Sequence, residues 1–240
     1  MTRPDVSDAV QRLDELTRRL RRECPWDREQ DERSIVPHTV EEAYELADAA
    51  HAGDDAKLLD ELGDVLFQVI FLSLLLEERD AGDLGAVAEH CAQKLIRRHP
   101  HVFAAVEVRD AADVLRNWDQ IKRDERGTAA SLFGDLPGNL PALLYARKVQ
   151  RRAAAGGEPS GAAPAIAEVR SRAAALDDSA SREDGFERVG ELLFAAVAAA
   201  RALGVDPELA LRQATLRFET RVNAASAATA PVPEGDDTIR

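Results

Sequence analysis

The stretch Thr39–Glu78, TVEEAYELADAAHAGDDAKLLDELGDVLFQVIFLSLLLEE, decides the fold. Residues 40–50 have the composition of a helix, and Glu42 and Glu45 stand three apart, so their carboxylates leave one face, with Glu41 and Asp48 flanking them. Gly53-Asp54-Asp55 reads as a short polar turn. A second helical pattern then places Glu61 and Asp64 three apart, with Lys57 and Gln68 extending the stripe. Helices joined by so short a turn pack antiparallel as a rule, which sets the two acidic pairs facing each other across a hairpin.

Four carboxylates held that close repel and raise one another's pKa unless a cation neutralises them. All-oxygen ligation suits a hard divalent ion, Mg²⁺ or Mn²⁺. No histidine stands three residues after any of these acids, which argues against a di-iron bundle. A second role is open for Glu42, because Thr39 and Glu42 also fit a T-x-x-E capping box that merely starts a helix. Asp64 leads into Val65–Leu72, apolar nearly all round, so it is expected to be buried and to need a partner or a metal.

Working outward, 45% of the residues are hydrophobic but only 5% aromatic, and alanine and leucine outweigh strand formers, which favours an all-α chain. With 31 Lys+Arg against 44 Asp+Glu the net charge is −13, so nucleic acid and anionic membrane are not expected partners. The 2 cysteines, Cys24 and Cys91, form no CxxC and suggest a reducing compartment. Residues 1–5 lead into a charged helix with no apolar signal core, so the cytoplasm is expected. The apolar run Val65–Leu76 is shorter than the roughly 17 residues a membrane span needs and reads as a core helix.

Val6, Val10, Leu13, Leu16 and Leu20 define a first amphipathic helix to about Glu23, stopped by Pro25. Trp26 in the following loop plugs the bundle end in a purely structural reading. Leu84, Val87, Ala88, Cys91 and Leu95 define a further helix whose other face carries Lys94 and Arg98, with Arg97 beside them. By their place in the last turn, these cations complement the helix dipole. His99 and His101 lack companion ligands and read as structural. Residues 111–126 form another helical pattern closed by Gly127, with Trp118 and Lys122 one turn apart. A turn-rich connector, Phe133–Pro141, precedes a helix through Leu143, Leu144, Ala146, Val149 and Gln150, and Ala153–Ala165 reads as a linker.

Glu41-Glu42-Ala43-Tyr44-Glu45 followed by Glu61-Leu62-Gly63-Asp64 resembles the E-E-x-x-E … E-x-x-D signature of MazG-type nucleoside triphosphate pyrophosphohydrolases. Three further stretches resemble the same family: residues 24–30 (CPWDREQ), 94–103 (KLIRRHPHVF) and 118–122 (WDQIK), so the likeness covers about the first half of the chain. The resemblance implies Mg²⁺-dependent hydrolysis of nucleoside triphosphates to monophosphate and pyrophosphate, with Mn²⁺ as a possible substitute, by four-helix-bundle-type modules paired in a homodimer. It implies metal ligation by Glu42, Glu45, Glu61 and Asp64, with Glu41 orienting the site or acting as base. Lys94, Arg97, Arg98, Lys122, Trp118 and Trp26 become substrate contacts. Three alternatives stay open: a base-selective dUTP- or dCTP-type pyrophosphatase of the same superfamily, a catalytically silent nucleotide-binding regulator, and a structural helical bundle that neither depends on metal nor is stabilised by nucleotide.

A repeat follows. Arg188-Val189-Gly190-Glu191-Leu192-Leu193-Phe194 lies over Glu61–Phe67, and Ala167-Glu168 over Glu41-Glu42. Ser171 then replaces Glu45 and Arg188 replaces Glu61, so the second copy is expected to keep the scaffold and lose the metal. Its Arg188 is expected to pair with Glu168 or Glu191, and Asp206-Pro207-Glu208 to start a helix. The expected organisation is a catalytic module at 1–130, a connecting helix and linker at 131–165, a degenerate MazG-like module at 166–225 and a disordered tail at 226–240. Where tandem family members carry a G-F-D-W-like stretch, this chain has Gly156-Gly157-Glu158-Pro159.

Overall fold

A computed structural model describes residues 5–125, 133, 136–158, 161–177 and 181–229. Among the described residues every regular element is a helix, as the composition predicts. None is long and apolar enough to cross a membrane. The chain divides into two compact units, Met1–Val114 and Leu115–Arg240.

The first unit opens with α1 (Val6–Glu23), capped by the Asp5 carboxylate, which accepts from the Ser7 and Asp8 amides. The segment expected as a loop after Pro25 is instead a one-turn helix, α2 (Pro25–Glu29), because Pro is well suited to the first helical position. Helix α3 (Glu32–Ala52) starts well before residue 40. Asp31 and Ser34 form its capping box, and Pro37 is accommodated inside it. Thr39 is therefore mid-helix, its hydroxyl donating to the Ile35 carbonyl at 3.3 Å, and the T-x-x-E start at Thr39 does not exist. Ile35 accounts for the longer helix, since it is buried against Phe71 and Leu75 and the upstream turns are fixed by that burial.

Gly53, at φ 69°, ends α3 in the left-handed region that glycine adopts without strain, and Asp54 caps α4 (Asp55–Glu77). The two pack against each other as the predicted hairpin. Helix α4 is not buried all round. Its second half places Ile70, Phe71, Leu74 and Leu75 in the core, while Leu59, Leu62, Leu66 and Val69 are 75%, 49%, 40% and 39% exposed along one stripe of the first half. Each fully buried aromatic or branched residue contributes roughly 1.5–3 kcal/mol, so the core anchors only the C-terminal end of α4. Arg18 and Arg21 of α1 fork onto Glu77 and Glu78 at that same end. Helix α5 (Leu84–Arg98) packs against α4 and leads into the short α6 (Pro100–Phe103). His99 Nδ1 contacts the Leu95 carbonyl at 2.6 Å, in keeping with a structural role.

Helix α7 (Ala111–Asp124) carries Trp118 and Lys122; Gly127, expected to close it, lies outside the described residues. The second unit continues with α8 (Ala142–Ala155), α9 (Ala162–Ala174), α10 (Arg182–Ala202) and α11 (Pro207–Thr229). Helices α8 and α9 run into the Ala-rich stretch read as a linker from both sides, which the high helix propensity of alanine explains. The Gln150 side chain donates to the Phe194 carbonyl, and Arg147 pairs with Asp206, joining α8 to α10 and to the start of α11. Asp206 also accepts from the Glu208 and Leu209 amides, the cap expected there. Helix α11 runs to Thr229, inside the stretch read as a tail; residues 230–240 lie outside the described residues.

Candidate metal centre and active site

Two turns of α3 and one turn of α4 meet across the hairpin and bring three acids together. One carboxylate oxygen each from Glu42, Glu45 and Glu61 lies within 4.8 Å of the others. Glu61 is only 5% exposed, and Glu42 and Glu45 are half-buried. Burial raises the Glu42 pKa above the ordinary glutamate value, helped by the charges of Asp64, Glu45, Glu61 and Glu41 in that order. Glu61 is raised by burial and by Glu45, against the Lys57 ammonium at 3.8 Å, which lowers it. Acids that raise one another's pKa while held in one place are suited to a divalent cation, whose charge removes the repulsion.

The expectation that Asp64 is the buried member is corrected: Asp64 is exposed and Glu61 is buried. Exposed Leu62 and Leu66 flank Asp64, so apolar neighbours in sequence did not enclose it. Its charge still acts on Glu42, and it lines an open cleft of about 620 Å³ together with Lys57, Asp60 and Glu61. Two turns beyond Glu61, on the same face of α4, buried Gln68 leaves its Oε1 without a hydrogen-bond partner among the described residues. Such a donor set, all oxygen with a leftover acceptor on the same face, fits a hard divalent ion.

Glu41 stands apart from the three, exposed and 3.8 Å from His38 Nδ1. His38 in turn meets Trp26 edge-on, with ring centroids 5.9 Å apart. The Pro25–Glu29 segment thus lies beside α3 within one turn of the acids, and the Trp26 ring remains 51% exposed. Arg21 holds it there, donating from one nitrogen to the Asp27 and Gln30 carbonyls while forking onto Glu78. Neither Arg21 nor His38 was distinguished by sequence; Arg21 sits in an arginine-rich run with no local mark of its role.

Lys94 and Arg98 are half-buried on α5 and Arg97 is exposed. In the second unit the Lys122 ammonium sits 3.6 Å from the Trp118 ring centroid, so this pair is brought together as a cation–π contact.

The model of the MazG nucleotide pyrophosphohydrolase domain matches residues 30–103, which span the acidic hairpin and α5. The chain is 39% identical over 227 residues to the nucleoside triphosphate pyrophosphohydrolase of Escherichia coli (strain K12), covering 88% of this chain and 85% of that protein. It is 38% identical over 203 residues to the nucleoside triphosphate pyrophosphohydrolase/pyrophosphatase MazG of Thermotoga maritima, covering 82% and 77%. A solved mazG-related protein from Thermotoga maritima aligns at TM-score 0.42 and 24% identity, over 47% of this chain and 98% of that chain. With identity reaching across both units, and not confined to the acidic hairpin, the chain belongs to the MazG nucleotide pyrophosphohydrolase family.

Proposed function

We propose that this chain hydrolyses nucleoside triphosphates to nucleoside monophosphate and pyrophosphate in a divalent-metal-dependent reaction, with Mg²⁺ as the ion and Mn²⁺ as a substitute. The observation that carries this reading is the convergence of Glu42, Glu45 and Glu61 within 4.8 Å across the hairpin. The relatives in Escherichia coli and Thermotoga maritima are named for the same activity.

Glu42, Glu45 and Glu61 would hold the ion, and Asp64 would complete the negative field at the open side. A bound ion would supply charge neutralisation for the triphosphate and a water of lowered pKa. Glu41, exposed and beside His38, orients the site or accepts the proton of the attacking water. Lys94 and Arg98, with Arg97 beside them, steady negative charge on the departing pyrophosphate. The exposed Trp26 ring offers a stacking face for the base.

The chain acts as a homodimer in this reading, because the apolar stripe Leu59, Leu62, Leu66 and Val69 is left exposed among the described residues. Free thiols at Cys24 and Cys91 support the cytoplasm as its place of action. A panel of ribo- and deoxyribonucleoside triphosphates with Mg²⁺, followed by ³¹P NMR of the products, tests the activity. Pyrophosphate and monophosphate are expected; orthophosphate with a diphosphate product refutes it. The same panel separates a general enzyme from a dUTP- or dCTP-selective one. Sedimentation mass tests the dimer.

A further inference from the structure

The α9–α10 hairpin of the second unit repeats the α3–α4 hairpin helix by helix, with one more residue between the matched places of its two helices. With Arg188 laid over Glu61, buried Ala195 and Val197 fall on buried Gln68 and Ile70, and exposed Phe186, Val189 and Leu193 fall on exposed Leu59, Leu62 and Leu66. Burial at these places of α10 therefore follows that of α4, and residue roles can be compared at matched places. Glu168 stands where Glu42 does, and Glu191 where Asp64 does. Ser171 and Arg188 occupy the places of Glu45 and Glu61.

The two remaining acids are already neutralised. Arg172, at the place of Leu46, donates to Glu168 from Nε at 2.7 Å and to Glu191 from Nη1. One guanidinium thus spans the hairpin between the two carboxylates, as a metal ion would. The expectation that Arg188 fills this role is corrected: Arg188 turns to the end of α9 and donates to the Ala175 carbonyl at 2.8 Å. The charges one turn apart on the second helix are also exchanged, Lys57 and Glu61 in the first copy against Asp184 and Arg188 in the second. Both arginines line an open cleft of about 560 Å³ with Asp184, Glu187 and Glu191, where the first copy has its acidic cleft. Hydrogen bonds and charge from Glu168 and Glu191 raise the Arg172 pKa, so its charge is permanent.

We infer that Arg172 is a built-in replacement for the metal ion of the second hairpin, so that this unit folds and pairs its helices without a divalent cation and the chain has a single metal centre. A fork-shaped cation satisfies two carboxylates without the coordination shell that Mg²⁺ demands. Arg188 adds a second positive charge that opposes entry of any further cation. The inference rests on reading Glu42, Glu45 and Glu61 as the metal ligands.

The test is Mn²⁺ binding to the full-length chain, followed by electron paramagnetic resonance without nucleotide, with urea unfolding to check each variant's fold. Wild type is expected to bind Mn²⁺, Glu42→Gln/Glu45→Gln/Glu61→Gln to lose at least tenfold in affinity, and Glu168→Gln/Glu191→Gln to stay within twofold of wild type. Adding Ser171→Glu/Arg172→Leu/Arg188→Glu to the first triple variant converts the second hairpin toward the first and is expected to restore binding. Residual binding in the first triple variant that disappears with Glu168→Gln/Glu191→Gln overturns the inference and leaves the first centre standing. Failure of the folded conversion variant to bind also overturns it. If the conversion variant does not fold, the glutamine pair decides alone: a folded Glu168→Gln/Glu191→Gln chain with weakened Mn²⁺ binding refutes it. A wild-type chain that binds no Mn²⁺ refutes the first centre and the inference with it.

Discussion

Replacing Arg21 by methionine keeps the apolar stem and removes only the fork. Lost apolar burial is therefore small. The pair with Glu78, at 2.8 and 2.9 Å, involves a carboxylate that is 40% exposed, so its share is discounted to about 1 kcal/mol. The bonds to the Asp27 and Gln30 carbonyls are worth about 1 kcal/mol each, and the guanidinium 5.9 Å from the Phe71 centroid adds about 0.5 kcal/mol. Together these amount to about 3.5 kcal/mol on the first unit. A Trp118→Phe background leaves Trp26 as the only tryptophan and makes its fluorescence a reporter of that unit. At roughly 1–3 kcal/mol per molar urea, the midpoint of Arg21→Met should fall by about 1–3.5 M. Acid supplies a second readout. Arg21 holds the Glu78 carboxyl below the ordinary glutamate range. Stability from this pair is therefore present above the unfolded value of about 4.3 and is lost as pH falls through the lowered folded value. Arg21→Met should flatten that part of the acid limb. A midpoint within 0.3 M of the parent and an unchanged acid limb would refute the assignment of Arg21 as the tie that holds Trp26 beside α3.

Glu61→Gln should cut metal-dependent turnover at least a hundredfold while urea unfolding of the metal-free chain shows no loss of stability, since one of three mutually repelling charges is gone; near-normal rates at saturating Mg²⁺ would count against it as a ligand. Because Glu42 and Glu61 both have raised pKa values, protons compete with the ion, and Mn²⁺ affinity should weaken as pH falls through that raised range. Calorimetric titration at stepped pH checks this, and a pH-independent affinity from neutral down to the ordinary carboxylate range would contradict it. Asp64→Ala should lower turnover about tenfold to a hundredfold, less than Glu61→Gln because Asp64 is exposed, whereas Glu191→Ala should leave the rate within about twofold. Equal inactivation of two folded variants, Asp64→Ala and Glu191→Ala, would make the second hairpin catalytic.

The sequence by itself determined the helical class, the hairpin, its Gly53 turn and the pairing of acids on each helix. These are local: three residues along a helix fix a shared face, and a left-handed turn favours glycine wherever it occurs. The Asp206 cap and the stop of α1 at Glu23 were legible for the same reason. Tertiary structure decided which acid is buried. The rotational phase of α4 is set by Ile35, Phe71 and Leu75 packing at its far end, and that phase turns Glu61 inward and Asp64 out, although both lie in the same acidic stripe. It also decided where α3 begins, because the burial of Ile35 depends on a helix more than thirty residues away. The choice of arginine in the second hairpin was hidden likewise. Arg188 occupies the vacated ligand place in the alignment, but reach across the helix pair, not sequence position, selects the cation, and Arg172 alone spans Glu168 and Glu191. Propensity, caps and spacing act within a few residues of chain; burial and charge pairing depend on which faces meet, and that is fixed only when the helices pack.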